Sequence, residues 1–363
     1  MKTEKIKGYA AAAVIFITVM ILTVFPSQTA AAVRLSVNNC LNVIVPSLFA
    51  MTVLSGMLIK SGIYKITGKP FSLPARYLFR ISPDMMTVFL ISCFAGYPVG
   101  AALIAAAREQ GAVGEDEAER LLCWCFGAGP AFIYGAVGSG VFGSAAAGNM
   151  IFLSCIGANI LIGLGLSVGR KTPERNTEKP TVCFSPQLFC ECVAEGGKSI
   201  LKMCGIIIFM SAILSVPDTL GITAKLSSLI GKAAGADPGV VYTILRSAAE
   251  VSNIAYMKAD SPELIPAAAA VVSFGGISVF MQISSVCGKY VHIGKMLAAR
   301  CAAAVISYFL CDMLYVQLYR EEAVSVMAEV KDISYNSPIP TIFLLIMTIL
   351  LLFQKKVVKT KKM

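Results

Sequence analysis

Charge is what this sequence has least of. Asp, Glu, Lys and Arg together make up 14% of its 363 residues, against 56% apolar, and the mean hydropathy is +0.75. A soluble domain carries about 25% charged residues, so this chain lacks the means to cover a water-facing surface. That excludes a soluble enzyme, a disordered chain and a nucleic-acid binder. Histidine and tryptophan occur once each, so chemistry needing several imidazole ligands is unavailable. There is no Walker loop, H-E-x-x-H, G-x-S-x-G or D-x-D motif. An ATP-driven pump and a membrane hydrolase are therefore not expected, and neither are catalytic residues, a metal or a cofactor.

What is present is long apolar sequence. Uncharged runs occupy 8–33, 35–59, 85–107, 121–169, 203–217, 264–288, 301–311 and 333–354. About 20 apolar residues cross a bilayer, so the fold class is all-α, a polytopic helical membrane protein. The run 121–169 would be about 73 Å long as one helix, which exceeds two crossings. It must fold back, and Gly127, Gly129, Pro130, Gly135, Gly138, Gly140 and Gly143 supply the breaks. The first run, with three lysines before it and Ser-Gln-Thr-Ala-Ala-Ala after it, has the look of a signal peptide. Its apolar stretch 9–25 is longer than a typical signal core, and an uncleaved first helix is expected.

The net charge of +10 gathers at the ends of the runs. Lys2, Lys5 and Lys7, and Lys355, Lys356, Lys359, Lys361 and Lys362, flank the first and last of them, the pattern of cytoplasmic ends rather than of nucleic-acid contact. The loop 60–80 is basic and reads as cytoplasmic, whereas 108–120 is net acidic and reads as external. A polar linker at 170–198 splits the chain. Eight crossings plus two re-entrant elements satisfy the loop charges, with 219–258 as a hairpin or amphipathic element. The twelve cysteines lie mostly inside uncharged runs, where thiols act as small apolar groups; Cys123-Trp-Cys125 and Cys190-Glu-Cys192 lack the spacing of a redox or zinc site.

Two apolar runs are interrupted near their middles, one in each half. The first carries Phe94-Ala-Gly96-Tyr97-Pro98-Val-Gly100-Ala101, the second Ser273-Phe-Gly275-Gly276-Ile-Ser-Val-Phe-Met-Gln282. Pro removes a helix hydrogen bond and each Gly weakens a helix by about 1 kcal/mol. Broken backbone at membrane depth persists where it is buried in protein or lines a cavity, and paired breaks in corresponding halves point to a transporter's binding site. Gly96 and Gly100 also form GxxxG, a helix-packing pattern. Intramembrane ionisable residues add candidates. Arg246 and Glu250 stand at i, i+4, which puts them on one helix face, and Ser252 and Asn253 extend that polar surface. Gln282 follows the second break. Asp312 is a lone charge within 301–319.

These motifs, with Arg108-Glu-Gln-Gly111, Ala118-Glu-Arg-Leu-Leu122, Gly127-Ala-Gly-Pro-Ala-Phe-Ile-Tyr-Gly-Ala-Val-Gly138 and the early Asn42-Val-Ile-Val-Pro-Ser-Leu-Phe49, resemble the YlbJ-type sporulation integral membrane proteins, of the wider group with nucleoside-recognition Gate domains. The resemblance runs from about 35 to 320. It implies two inverted Gate-type repeats with interrupted or re-entrant helices, related to concentrative nucleoside transporters. The organisation it implies is an N-terminal membrane helix at 1–34, a first Gate-like repeat at 35–169, the cytoplasmic linker, a second repeat at 199–320, and a C-terminal membrane helix with a basic tail at 321–363. Gly96, Tyr97, Pro98, Gly100, Gly275, Gly276 and Gln282 fall on the gate motifs, and Glu250, Ser252 and Asn253 on a polar region like part of the nucleoside carriers' site. Where the family often has a basic residue after Gly100-Ala101, this chain has Ala102 and Leu103, which leaves Arg246 as the partner for an anion.

The function implied is a carrier in a forespore membrane for a small anionic or nucleoside-like solute, dipicolinic acid above all. The rival is a non-transporting membrane scaffold of spore-envelope assembly. The partners expected are a small-molecule substrate and the lipid bilayer, without nucleic acid. Self-association or assembly with other sporulation membrane proteins stays open.

Overall fold

The computed structural model describes residues 2–171, 182–259, 261–288 and 291–319, with only the backbone described at 2–7, 10, 11 and 14. The described residues form helices and connecting turns without a β-strand. The final apolar run 333–354, the basic tail and the middle of the 170–198 linker lie outside them.

The chain opens with α1 (Lys2–Val24). It breaks at Phe25-Pro26 and continues as α2 (Pro26–Lys60), a 35-residue helix with a π-helical turn at Cys40–Ile44. The break thus falls at the proline, which is at home in a first helical turn, and Arg34, the charge that separates two runs in the sequence, sits inside α2. Next come α3 (Tyr64–Phe79) and α4 (Pro83–Ala95), bent 95° from one another at Arg80, whose φ is +49°. Helices α5 (Val99–Glu109) and α6 (Glu115–Trp124) follow. The run 121–169 folds back as expected, through the π-helical α7 (Ala131–Ser139) into α8 (Ala145–Ser167).

Helix α9 (Pro186–Thr219) takes up nearly half of the stretch read as a linker, from residue 186 on. The segment 219–258 is a hairpin of α10 (Ile222–Ala234) and α11 (Pro238–Ala249), closed by a 3-10 segment at Val251–Tyr256. Then come α12 (Ile265–Phe274), α13 (Ile277–Cys287) and α14 (Ile293–Leu314).

Local chemistry sets several of these boundaries. Ser144 accepts from Ala147 N at the start of α8, Ser185 from Leu188 N at α9, and Asp237 from Gly239 N and Val240 N at α11. Each such cap satisfies backbone donors the helix cannot and contributes about 1 kcal/mol. Gly221 and Gly235, at φ +70° and +66°, bracket α10.

Five helical segments are long and apolar enough to cross a membrane among the described residues, and six if the bent α3–α4 pair is one. They are α2, α8, α9, the segment Pro262–Cys287 that holds α12 and α13, and Ile293–Gln317, which extends α14. The eight expected crossings include the final apolar run, which lies outside the described residues, so this count is made without it. The segment Pro262–Cys287 is the innermost: 67% of its most apolar window is buried, against 22% for the window in Ile293–Gln317. One large apolar core joins α3 to α8 with α12 and α13. Trp124 anchors it, stacked on Phe79 at 4.9 Å and tilted against Phe89 at 4.6 Å. The cysteines pack as small apolar groups: Cys93, Cys155, Cys204, Cys287 and Cys311 are buried free thiols, while Cys301 is exposed.

Candidate functional site

Both sequence interruptions are helix breaks. Helix α4 ends at Gly96, whose φ of +77° takes it out of the helix. Gly96 also lies against a second backbone, since a Cβ on it would sit 2.9 Å from Gly129 N and 3.0 Å from Leu48. Tyr97 and Pro98 form the corner into α5. Gly100, the second residue of α5, is a packing position, because a Cβ there would meet Ser92 at 2.6 Å and the Cys125 carbonyl at 2.7 Å. The first break thus combines the two readings of its glycines, a turn at Gly96 and close packing at Gly100.

At the second break, Gly275 and Gly276 have φ of +88° and +85° and separate α12 from α13. Gly275 lies under the Phe126 ring, and Gly276 lies against Val251 N and the Ser247 carbonyl. The segment carrying Glu250 therefore crosses the second break. Phe126 joins the two breaks, since its ring also packs on Tyr97 at 4.9 Å. The Tyr97 hydroxyl donates to the Val272 carbonyl on α12 at 3.1 Å.

Glu250 is 1% exposed. One carboxylate oxygen accepts from Ser252 N at 3.0 Å, capping the 3-10 segment. The other, Oε2, faces the Ser278 hydroxyl, which lies beside the carboxylate. Asn253 turns away from any ligand and braces this corner, donating Nδ2 to the Glu250 carbonyl at 2.9 Å.

Gly96, Tyr97, Glu250, Ser252 and Gln282 line one cavity. The early motif enters it too: the π-helical turn in α2 brings Ile44, Ser47 and Leu48 to its wall, and α9 adds Met203 and Ile207. π-helical turns recur at functional sites because they re-aim side chains. The cavity volume is about 30 Å³, room for a water or two. Among the described residues, Glu250 is the one carboxylate in a wall that is otherwise apolar, amide and hydroxyl, and no basic side chain lines it. Pro98, Gly100, Asn253, Gly275 and Gly276 shape this site from behind.

Arg246 is elsewhere. It donates to Asp218 Oδ2 on α9 at 2.6 Å and to the Tyr242 hydroxyl at 3.3 Å. The i, i+4 expectation fails because α11 ends at Ala249. Glu250 is extended, at φ −140° and ψ 108°, so its side chain leaves the face that Arg246 occupies. Asp312 is exposed and lies outside the cavity wall.

The cation that is buried is Arg300, in α14, at 0% exposure. It donates to Asn159 Oδ1 at 2.9 Å, the Cys123 carbonyl at 2.6 Å and the Ser273 carbonyl at 3.5 Å, and it lies 4.7 Å over the Phe126 ring. Sequence reasoning did not single it out. The available signal was its place in Leu297-Ala-Ala-Arg300-Cys-Ala-Ala-Ala304, a charge two turns inside an apolar helix.

No family model matches the chain, and no solved structure matches it. Among curated proteins, the sporulation integral membrane protein YlbJ of Bacillus subtilis (strain 168) is 30% identical over 174 residues. The aligned part is 47% of this chain and 42% of that protein, so the match spans less than half the length of the relative. The chain is a multi-pass, all-α membrane protein with moderate similarity to a sporulation integral membrane protein.

Proposed function

We propose that the chain is a secondary carrier, not an enzyme, and that it moves a small solute across a forespore membrane during endospore formation. The observation that carries this reading is the cavity between the two helix breaks, where the buried carboxylate of Glu250 shares a wall with Gln282 and Ser252. A buried carboxylate is costly to keep ionised, and a solute or a proton would offset that cost. In this reading the two halves are inverted Gate-type repeats, and the likeness to a sporulation membrane protein gives the setting. At about 30 Å³ the cavity is too small for such a solute, so its walls part when solute enters.

Dipicolinic acid, a planar aromatic dicarboxylate, is the solute we favour, with nucleosides next. Its charge constrains the mechanism. Two carboxylates about 4 Å apart at an effective dielectric of about 20 repel by about 4 kcal/mol, about a thousandfold in affinity. With no cation in the wall, Glu250 is protonated when the dianion binds, and a proton travels with the solute.

The test is uptake of labelled dipicolinate, with nucleosides in competition, into vesicles containing the purified full chain. Glu250→Gln should retain binding but lose dependence on a proton gradient, and Gln282→Ala should lower uptake about tenfold at equal protein. Uptake no greater than in empty vesicles, or unchanged dipicolinate accumulation in spores lacking the protein, would leave the scaffold reading in its place.

A further inference from the structure

The strongest unexplained feature outside the cavity wall is a buried guanidinium with no acid beside it. Removing a charge from water costs several kcal/mol even after relaxation, and Arg300, at 0% exposure, has no carboxylate among its partners. The identity of its partners shows what offsets that cost. Cys123 is in the last turn of α6, and Ser273 is in the last turn of α12. The final carbonyls of a helix have no partner within it, and a helix C-terminus carries about half a negative elementary charge. Two such ends balance one cation.

The same network reaches both breaks. Asn159, 2% exposed on α8, accepts from Arg300 and donates to the carbonyl of Phe126, just past the end of α6. The Phe126 ring lies between the guanidinium and Tyr97, and it fills the space under Gly275. Tyr97 is a wall of the cavity.

We propose that Arg300 is a positioning residue of this site. It pins the C-terminal ends of α6 and α12 to one charge, and through Phe126 it fixes the first break against the second. Its use in transport rests on the carrier reading above; its geometry does not. Lysine is a poor substitute, because a single ammonium cannot span three acceptors as the planar fork of arginine does. Arg300→Met leaves both helix ends uncompensated.

The experiment is a distance measurement by paired spin labels in the full chain, with exposed Cys183, Cys190 and Cys301 replaced by serine. One label pair, at Ala131→Cys and Ile277→Cys, reports on the two breaks. A control pair, at Leu201→Cys and Leu229→Cys, reports on α9 and α10. With Arg300 present, both pairs should give a single narrow distance. Arg300→Met should broaden or shift the first pair and leave the control pair unchanged, with Arg300→Lys in between. If Arg300→Met does not fold, Asn159→Leu, which keeps the charge and removes one tie, should broaden the first pair alone. A folded Arg300→Met that keeps the parent's narrow distance overturns the proposal, as does an Asn159→Leu that keeps it where Arg300→Met does not fold. Broadening of both pairs alike also overturns it, because that is general loosening. Loss of transport with unchanged distances would count against the positioning role and leave the carrier reading intact.

Discussion

Replacing Gly275 by alanine tests how the two breaks are held together. Two penalties apply, and they can be separated. At φ +88° an L side chain is strained, which costs about 1–2 kcal/mol. The added Cβ would also stand 2.5 Å from Cε1 and Cζ of Phe126. A ring can often swing aside, but this one is confined between Tyr97 at 4.9 Å, Phe280 at 6.2 Å and the Arg300 guanidinium at 4.7 Å. Overpacking of this kind adds about 1–3 kcal/mol, for a total of about 2–5 kcal/mol. Gly111 is the internal control, because its φ is +70° but a Cβ there meets nothing within 4 Å. Gly111→Ala should therefore cost only the strain. Phe126→Leu removes the two ring atoms in question, so the double variant Gly275→Ala/Phe126→Leu should recover about 1–3 kcal/mol as coupling energy. The assay is reversible unfolding in detergent, with the four members of the cycle and Gly111→Ala measured side by side. A coupling energy near zero, or a Gly111→Ala as damaging as Gly275→Ala, would refute the contact and with it the joining of the breaks through Phe126.

Two further outcomes follow from ionisable groups away from the cavity. Glu117, 7% exposed, accepts from Ser82 N at 2.7 Å and from the Ser82 hydroxyl at 3.0 Å, at the start of α4. Glu117→Ala strands those donors and should cost about 1–3 kcal/mol. Burial pushes the Glu117 carboxyl above its ordinary value of 4.5, against the pull of the Ser82 bonds and Arg120. The folded state thus binds this proton more tightly than the unfolded chain. The stability it lends is complete below the ordinary value and is lost as pH rises through the raised one. Glu117→Gln, which keeps an acceptor, should flatten that fall and match or exceed the parent at neutral pH, read as unfolding midpoints from about pH 4 to about pH 8. The second outcome concerns the Arg246–Asp218 pair, whose side chains are 21% and 16% exposed. Arg246→Met should cost about 1–3 kcal/mol, below the range for a fully buried pair, and should leave uptake per folded molecule unchanged. A selective loss of uptake would return Arg246 to the solute site.

The parts of this structure legible in the sequence are those whose cause is local. Gly96-Tyr97-Pro98 and Gly275-Gly276 break helices because of what glycine and proline do to their own backbone, so the breaks could be placed without knowing any neighbour. Glu250, Ser252 and Gln282 were legible as polar groups in apolar surroundings, and they are three of the five expected site residues that line the cavity. The failures have non-local causes. Arg246 and Glu250 share a face only if the helix continues, and nothing in Ala248-Ala-Glu250-Val-Ser252 signals that it stops at Ala249; the stop is imposed by Gly276 packing against Val251 and Ser247. The place of Arg300 inside an apolar helix was a signal, but its partners could not be foreseen, since its three acceptors lie at 123, 159 and 273 and no spacing in the sequence brings them together. Reading spans from apolar length has a related limit. Apolar residues measure how much chain is out of water, and in this protein part of that chain lies under other helices instead of in lipid. The broken helices explain both facts: they expose carbonyls inside the protein that need a donor, and a buried arginine is the donor that can serve two helix ends at once.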